Sequence, residues 1–289
     1  MTTKSRITEL FGHPVTKCND AWAEIVEAQQ CTFLNRKCWK TRKSQKHISI
    51  GTCSVGFGEA AGRDPVIICP TRFIARRQIF VDCLHLLTLH EPGNELHIVP
   101  EVSVPGGNVD YFIVSVRDGQ VRDFAGIEIQ GLDTSGSVWP ERQRLLRDLG
   151  LPREDNAEDD EITSFGMNWK MTAKTILVQM HHKIQTFDHV NKKLTLVVQD
   201  RLLEYMQQAF SFGHIMNPAS QGQPMHIHSY RLAQQTDGSL RLALAANLST
   251  DVEGIAQCLG LQAEARIEYE QIISTLRRRI SPLTLFSPF

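Results

Sequence analysis

The pattern of apolar and polar positions is clearest from His97 to Gln130, HIVPEVSVPGGNVDYFIVSVRDGQVRDFAGIEIQ. Val, Ile, Tyr and Phe alternate with polar residues, and the runs are broken by Val-Pro-Gly-Gly-Asn at 104–108 and by Asp118-Gly119. This spacing predicts three consecutive strands. Upstream, Pro70 opens PTRFIARRQIFVDCLHLL, where Phe73, Ile74, Phe80, Val81, Leu84 and Leu87 recur at helical spacing, with Arg72, Arg76 and Arg77 on the polar side. Downstream, a short helix is expected around Glu141–Leu149. A core helix is expected where Trp169, Ala173, Ile176, Leu177, Met180 and Ile184 repeat. LTLVVQ at 194–199 reads as a buried strand, and 201–210 as another helix. The order from Pro70 to Phe210 is therefore helix, three strands, helix, strand, helix, an α/β chain with a mixed (α+β) sheet. Beyond it, His226–Ala233, Asp237-Gly238 and Leu240–Ala246 form a hairpin signal. An amphipathic stretch, Glu253–Ile280, offers Ile267, Ile272, Ile273 and Leu276 for packing.

Alternation also sorts the acids. If Val104 pairs with Val109 across the loop, Ser103 faces Asp110, and Glu101 points the same way. On the third strand Glu128 and Gln130 share a face, while Ile127 and Ile129 go to the other. An acid in an apolar strand is costly unless a cation compensates it. Several converging acids suit a hard divalent ion, Mg²⁺ on oxygen ligands. Glu95 is an alternative to Glu101 as the further acid.

Composition places this on a globular protein: 289 residues, 42% hydrophobic and 22% charged. No run is long enough to cross a bilayer, and MTTKSRITEL lacks a signal-peptide core, so a cytoplasmic location is expected. A net charge of −1 does not announce a nucleic-acid binder. Its distribution adds more. Arg36, Lys37, Lys40, Arg42, Lys43 and Lys46 form an acid-free run, Arg277–Arg279 lie near the C-terminus, and acids crowd into Glu154–Glu161. Such separation allows a basic groove on a near-neutral protein.

Four of the seven cysteines, Cys18, Cys31, Cys38 and Cys53, fall in a basic, core-poor N-terminal segment. Four thiolates would staple it around zinc or iron, with Cys69 a possible substitute ligand, whereas Cys83 and Cys258 read as core. Isolated buried thiols are the competing reading. His226 and His228 share a strand face, as metal ligands would, but no third ligand with good spacing is evident, so surface or satisfied histidines are expected there.

Helix, three strands, helix and strand, with Asp110 on the second strand and Glu128-x-Gln130 on the third, resemble the PD-(D/E)xK nuclease core. Gln130 stands where that family usually has Lys. CTFLNRKCWK, IGTCSV and IICPTRF, followed by PEV, NVDYF and GIEIQ, narrow the resemblance to NotI-type restriction endonucleases, over roughly residues 10–210. The resemblance implies a type II restriction endonuclease: a bacterial homodimer making Mg²⁺-dependent double-strand cuts in DNA at a GC-rich palindrome. It implies a structural iron or zinc in a four-cysteine site and a cognate DNA methyltransferase in the same restriction-modification system. Glu101, Asp110, Glu128 and Gln130 become the catalytic set, the three acids as Mg²⁺ ligands. The chain then divides into an N-terminal metal-thiolate subdomain (1–69), a PD-(D/E)xK core (70–212) and a C-terminal hairpin and helix (213–289) for dimer or DNA contact. The alternative is a non-catalytic DNA-binding regulator built on the cysteine module.

Overall fold

A computed structural model describes residues 5–16, 21–58, 64–153, 165–261, 269–281 and 284. Its centre is a six-stranded sheet of β1 (Glu95–Val104), β2 (Gly107–Arg117), β3 (Gln120–Ile129), β4 (Lys193–Gln199), β5 (Met225–Gln234) and β6 (Leu240–Thr250). The spatial order follows the chain order from β1 at one edge to β6 at the other. β1, β2 and β3 are an antiparallel meander, β3–β4 and β4–β5 pair parallel, and β5–β6 close as an antiparallel hairpin. The mixed α+β architecture expected from the apolar pattern is thus what forms, and the C-terminal hairpin completes the same sheet.

Two turns set the meander. Pro105-Gly106 alone separates the paired residues Val104 and Gly107, and Gly106 takes φ 95° as the second central residue of such a turn must. A Cβ there would lie 2.7 Å from the backbone oxygen of His182, so this turn also docks on a helix that only glycine lets it approach. Asp118-Gly119 follows with φ 52° and 71°, the doubly left-handed geometry whose twist matches a tight hairpin. The shorter first loop shifts the register from the sequence expectation. Ser103 pairs with Asn108, and Glu101, between Val102↔Val109 and Pro100↔Tyr111, comes opposite Asp110.

The helices are α1 (Trp22–Ala28), α2 (Gln78–Asp82), α3 (Trp139–Asp148), α4 (Trp169–His189), α5 (Asp200–Ala209), α6 (Val252–Cys258) and α7 (Tyr269–Arg279). α4 buries Ala173, Ile176, Leu177, Met180, Ile184 and Phe187 on one face of the sheet, against Val109, Leu194, Leu196 and Ile227. Truncating any one of these large side chains to Ala would cost about 2–5 kcal/mol. The opposite face, with Ile113, Ile127, Val197 and Tyr230, is covered by Phe73, Ile79, Phe80 and Leu86.

That covering segment is not the single helix its periodicity predicts. It is a 3₁₀ stretch (Pro70–Arg77), α2, and a further 3₁₀ turn (Leu84–Leu86), broken where Arg76 and Arg77 turn left-handed at φ 54° and 57°. Nor does Arg72 lie on a polar side. It is 2% exposed, its Nε donates to Glu9 at 2.8 Å, and a second nitrogen donates to the Leu240 carbonyl. Arg72 is pulled inward because Glu9 is equally buried, and the pair joins the N-terminal part to β6.

The N-terminal part has its own four-stranded sheet, Ile7–Leu10 between His13–Pro14 and Thr52–Phe57, with Asp64–Ile67 outermost. Its core joins Ile7, Leu10, Phe11, Trp22 and Val55 to Val138 and Leu145 at α3, so α3 belongs with this sheet in packing. α6 packs on α4, while Arg277–Arg279 of α7 are exposed. No described helix is long and apolar enough to cross a membrane.

Candidate active site

The meander carries its acids to one level. Asp110 on β2 has Glu101 across from it on β1 and, on its other side, the end of β3, where the Ile129 amide donates to its carboxylate at 2.8 Å. Tyr111 pairs with Ile127, so Glu128 stands level with Asp110. Glu95, the alternative third acid, pairs with Val116, six residues along β2 and therefore about 20 Å away. Glu101, and not Glu95, therefore lies level with Asp110, and it holds φ 53°, a left-handed strain uncommon for a non-glycine residue and concentrated at functional positions. The three carboxylates do not all close to within 4.8 Å of one another.

Burial makes the inner pair unhappy as two anions. Burial, and next the charge of Asp110, push the Glu128 carboxyl up to about 7. Burial is also the first cause raising Asp110, with Glu101 adding repulsion. The counterweight is a residue that the strand pattern did not reveal. Lys183 of α4 is itself buried, and its Nζ donates to Glu128 Oε1 at 2.6 Å. Lys183 pulls Glu128 downward, but burial and Asp110 outweigh it. The signal was present in the sequence. Lys183 sits three residues after Met180 on the apolar stripe of α4, where a lysine needs an anionic partner.

Gln130 follows the end of β3, its amide bound to Val197 O and its side chain donating to Gly131 O at 2.6 Å. Glu101 and Asp110 open onto a cavity of about 370 Å³ that Arg36, Trp39, Thr71 and Tyr111 also line. Trp39 is 58% exposed and Arg36 is exposed, which sets a cation and a flat aromatic face at the rim of an acidic floor. Beside it a wider groove runs past Lys40, Arg42, Lys43 and Trp139. An acidic floor under a basic and aromatic rim can hold a hard cation against a phosphate while the rim grips the rest of a polyanion.

Cys31, Cys38, Cys53 and Cys69 line one small cavity of about 10 Å³, together with Phe11 and Gly51. Cys18 lies outside the described residues. Burial raises Cys38 and puts Cys53 well above the ordinary thiol range, and the neighbouring cysteines push both further. The amides of Lys40 and Gly51 point at Cys38 and oppose the shift, as donors to a thiolate do. These four cysteines are candidate ligands for a soft or borderline ion, but no three of their sulfurs lie within 4.8 Å of one another. Cys83 and Cys258 lie apart from this cavity, each buried.

The family model of the restriction endonuclease NotI matches residues 26–221. None of the curated proteins compared with the chain matches it. The matched span holds the four cysteines of that cavity, the three acid-bearing strands and Lys183, and it covers more than half of the chain. The protein therefore belongs to the NotI restriction endonuclease family, whose members are DNA-binding, DNA-cleaving hydrolases.

Proposed function

We propose that this protein is a type II restriction endonuclease that makes Mg²⁺-dependent, site-specific double-strand cuts in DNA, at a GC-rich palindrome and as a homodimer. The observation that carries this reading is the alignment of Glu101, Asp110 and Glu128 on adjacent strands beside a cavity rimmed by Arg36 and Trp39. The two inner acids repel each other in a poorly hydrated place, which fits a site completed by a divalent cation. A regulator without catalysis leaves that repulsion unexplained.

In this mechanism Asp110 and Glu128 would hold Mg²⁺, and Glu101 would serve a second metal position. When bound, Mg²⁺ supplies Lewis acidity, activating water and offsetting charge on the phosphate. Lys183 supplies the fixed positive charge that Gln130, which can only hydrogen-bond, does not. Held at 2.6 Å from Glu128, it keeps that carboxylate oriented toward its ligand role. Gln130 must leave the Gly131 carbonyl to position water, a small rearrangement for a side chain at a strand end. The rim cations Arg36, Lys40 and Lys43 bind backbone phosphates.

Cys31, Cys38 and Cys53 would hold the structural iron or zinc, with Cys18 or, from its place at the same cavity, Cys69 as the fourth ligand. A methyltransferase of the same specificity would protect the host DNA, and both proteins would work in the bacterial cytoplasm. The test is incubation of purified protein with plasmid and genomic DNA, with Mg²⁺ or with EDTA, followed by sequencing of the ends. Discrete ends sharing one GC-rich palindrome, lost with EDTA, are expected. Absence of cutting on DNA that contains all such palindromes would overturn the reading.

A further inference from the structure

His226 and His228 were expected to be surface or satisfied histidines without a third partner. They are neither satisfied nor alone. Both are fully buried, at 0% exposure. Neither ring nitrogen of His226 meets a partner in good hydrogen-bond geometry, although the Gln223 backbone and the Asn247 side chain lie near enough to oppose its downward shift, and the Nε2 of His228 has none. The Nδ1 of His228 touches only the Cys83 thiol, at 3.6 Å. The third histidine is His85, from the turn after α2, about 140 residues earlier in the chain. Its ring stacks on His228 at 5.9 Å and 9°, and meets His226 edge-on at 6.2 Å. One nitrogen from each of the three rings can be chosen so that all lie within 4.8 Å of one another.

We propose that His85, His226 and His228 form a binding site for one divalent transition-metal ion of the zinc class, distinct from both the carboxylate cluster and the cysteine cavity. The protonation states fit. His85 Nδ1 lies 2.8 Å from the Asp82 backbone carbonyl, so it carries the hydrogen and leaves Nε2 with a free lone pair. Burial, reinforced by the other rings, lowers His226 to about 4 and His228 to about 3, so both are neutral imidazoles at physiological pH. Imidazole nitrogens suit zinc and its neighbours in the transition series and are poor ligands for Mg²⁺. Cys83, whose sulfur lies 3.6 Å from His228 Nδ1, falls outside the group of donor atoms that all lie within 4.8 Å of one another. His85 is exposed, so the fourth position opens to water.

The site is separate from the acid cluster by construction of the sheet. Glu128 pairs with Leu196 and Leu196 with Ile227, so the acid and the histidines are two strands, about 10 Å, apart along the sheet. Ile227 faces α4 together with Leu196, whereas its neighbours His226 and His228 face the other side, toward the α2 segment. The ion would fasten that segment to β5. The same segment backs Ile113 and Ile127, the floor of the acid-bearing strands, so occupancy would stiffen the sheet behind the candidate active site. His226 and His228 also lie beyond the span that the family model matches.

The experiment compares the full-length wild type with His85→Ala, which removes an exposed ring, and with His228→Gln, which removes a buried one. Each is equilibrated with zinc, desalted and assayed for metal content. Each is also loaded with Co²⁺ for its visible spectrum and melted with and without zinc. The wild type should hold one more zinc per chain than either variant. Its extra Co²⁺ should show d–d bands without thiolate charge transfer, and zinc should raise its melting temperature by more than it raises that of His85→Ala. Cys38→Ser should keep this component. Equal metal content in the wild type and His85→Ala, or loss of the same component in Cys38→Ser, would overturn the proposal.

Discussion

Replacing Lys183 with Met tests how the acid pair is held. Glu128 is 4% exposed, and its carboxyl lies at about 7 against an ordinary 4.5. At roughly 1.4 kcal/mol per unit, ionised Glu128 costs the folded state on the order of 3 kcal/mol even with Lys183 beside it. The sign follows from the raised value. The folded state holds this proton more tightly, so the contribution of Glu128 is fully favourable below about 4.5 and is lost as pH rises through about 7. Lys183 works against that loss. Without it Glu128 rises further, and above neutrality the fold keeps either an unpaired buried anion or a proton taken up at cost. Breaking a buried pair on one side typically costs about 3–5 kcal/mol. In mild acid, where Glu128 is protonated in both proteins, only a hydrogen bond is lost, about 1–2 kcal/mol. Urea denaturation without Mg²⁺, followed by tryptophan fluorescence at about pH 5.5 and about pH 8.5, should show the Lys183→Met penalty growing by about 2 kcal/mol toward alkaline pH. A penalty equal at both values, or larger in acid, would refute the argument that Lys183 compensates the charge of Glu128.

Three further outcomes follow from the same geometry. Asp110→Ala and Glu128→Ala should abolish cleavage while leaving sequence-specific binding measurable by gel shift in Ca²⁺; wild-type turnover in a folded variant would remove that residue from the mechanism. Cys38→Ser should lower bound iron or zinc and destabilise the N-terminal third, whereas Cys258→Ser should leave metal content intact; protein purified without a stoichiometric metal would argue against the thiolate site. Gly106→Ala forces a Cβ toward the His182 carbonyl, at 2.7 Å and at a positive φ, so it should cost about 1–3 kcal/mol and loosen the Glu101–Asp110 register, seen as a lower melting temperature and slower cutting.

What could be read from the sequence was whatever depends on near neighbours. The two turns of the meander, the strands between them, the apolar stripe of α4 and the buried β4 are all set by periods of 2 and 3.6 and by turn residues within a few positions. Those periods put Asp110 and Glu128 on their strands before any packing is known, while Gln130, expected on the third strand, falls just past its end. Register needed more, because a loop of two residues or four both fit Val-Pro-Gly-Gly-Asn, and the shorter one forms where Gly106 packs on α4. The remaining decisions joined residues far apart in the chain. Glu9 drew Arg72 inward and α4 brought Lys183 to Glu128. The N-terminal sheet set Cys69 among Cys31, Cys38 and Cys53, and the turn after α2 carried His85 to β5. A charged or ligating side chain is legible as unusual from its neighbours alone, but its partner is chosen by the tertiary packing that removes both from water.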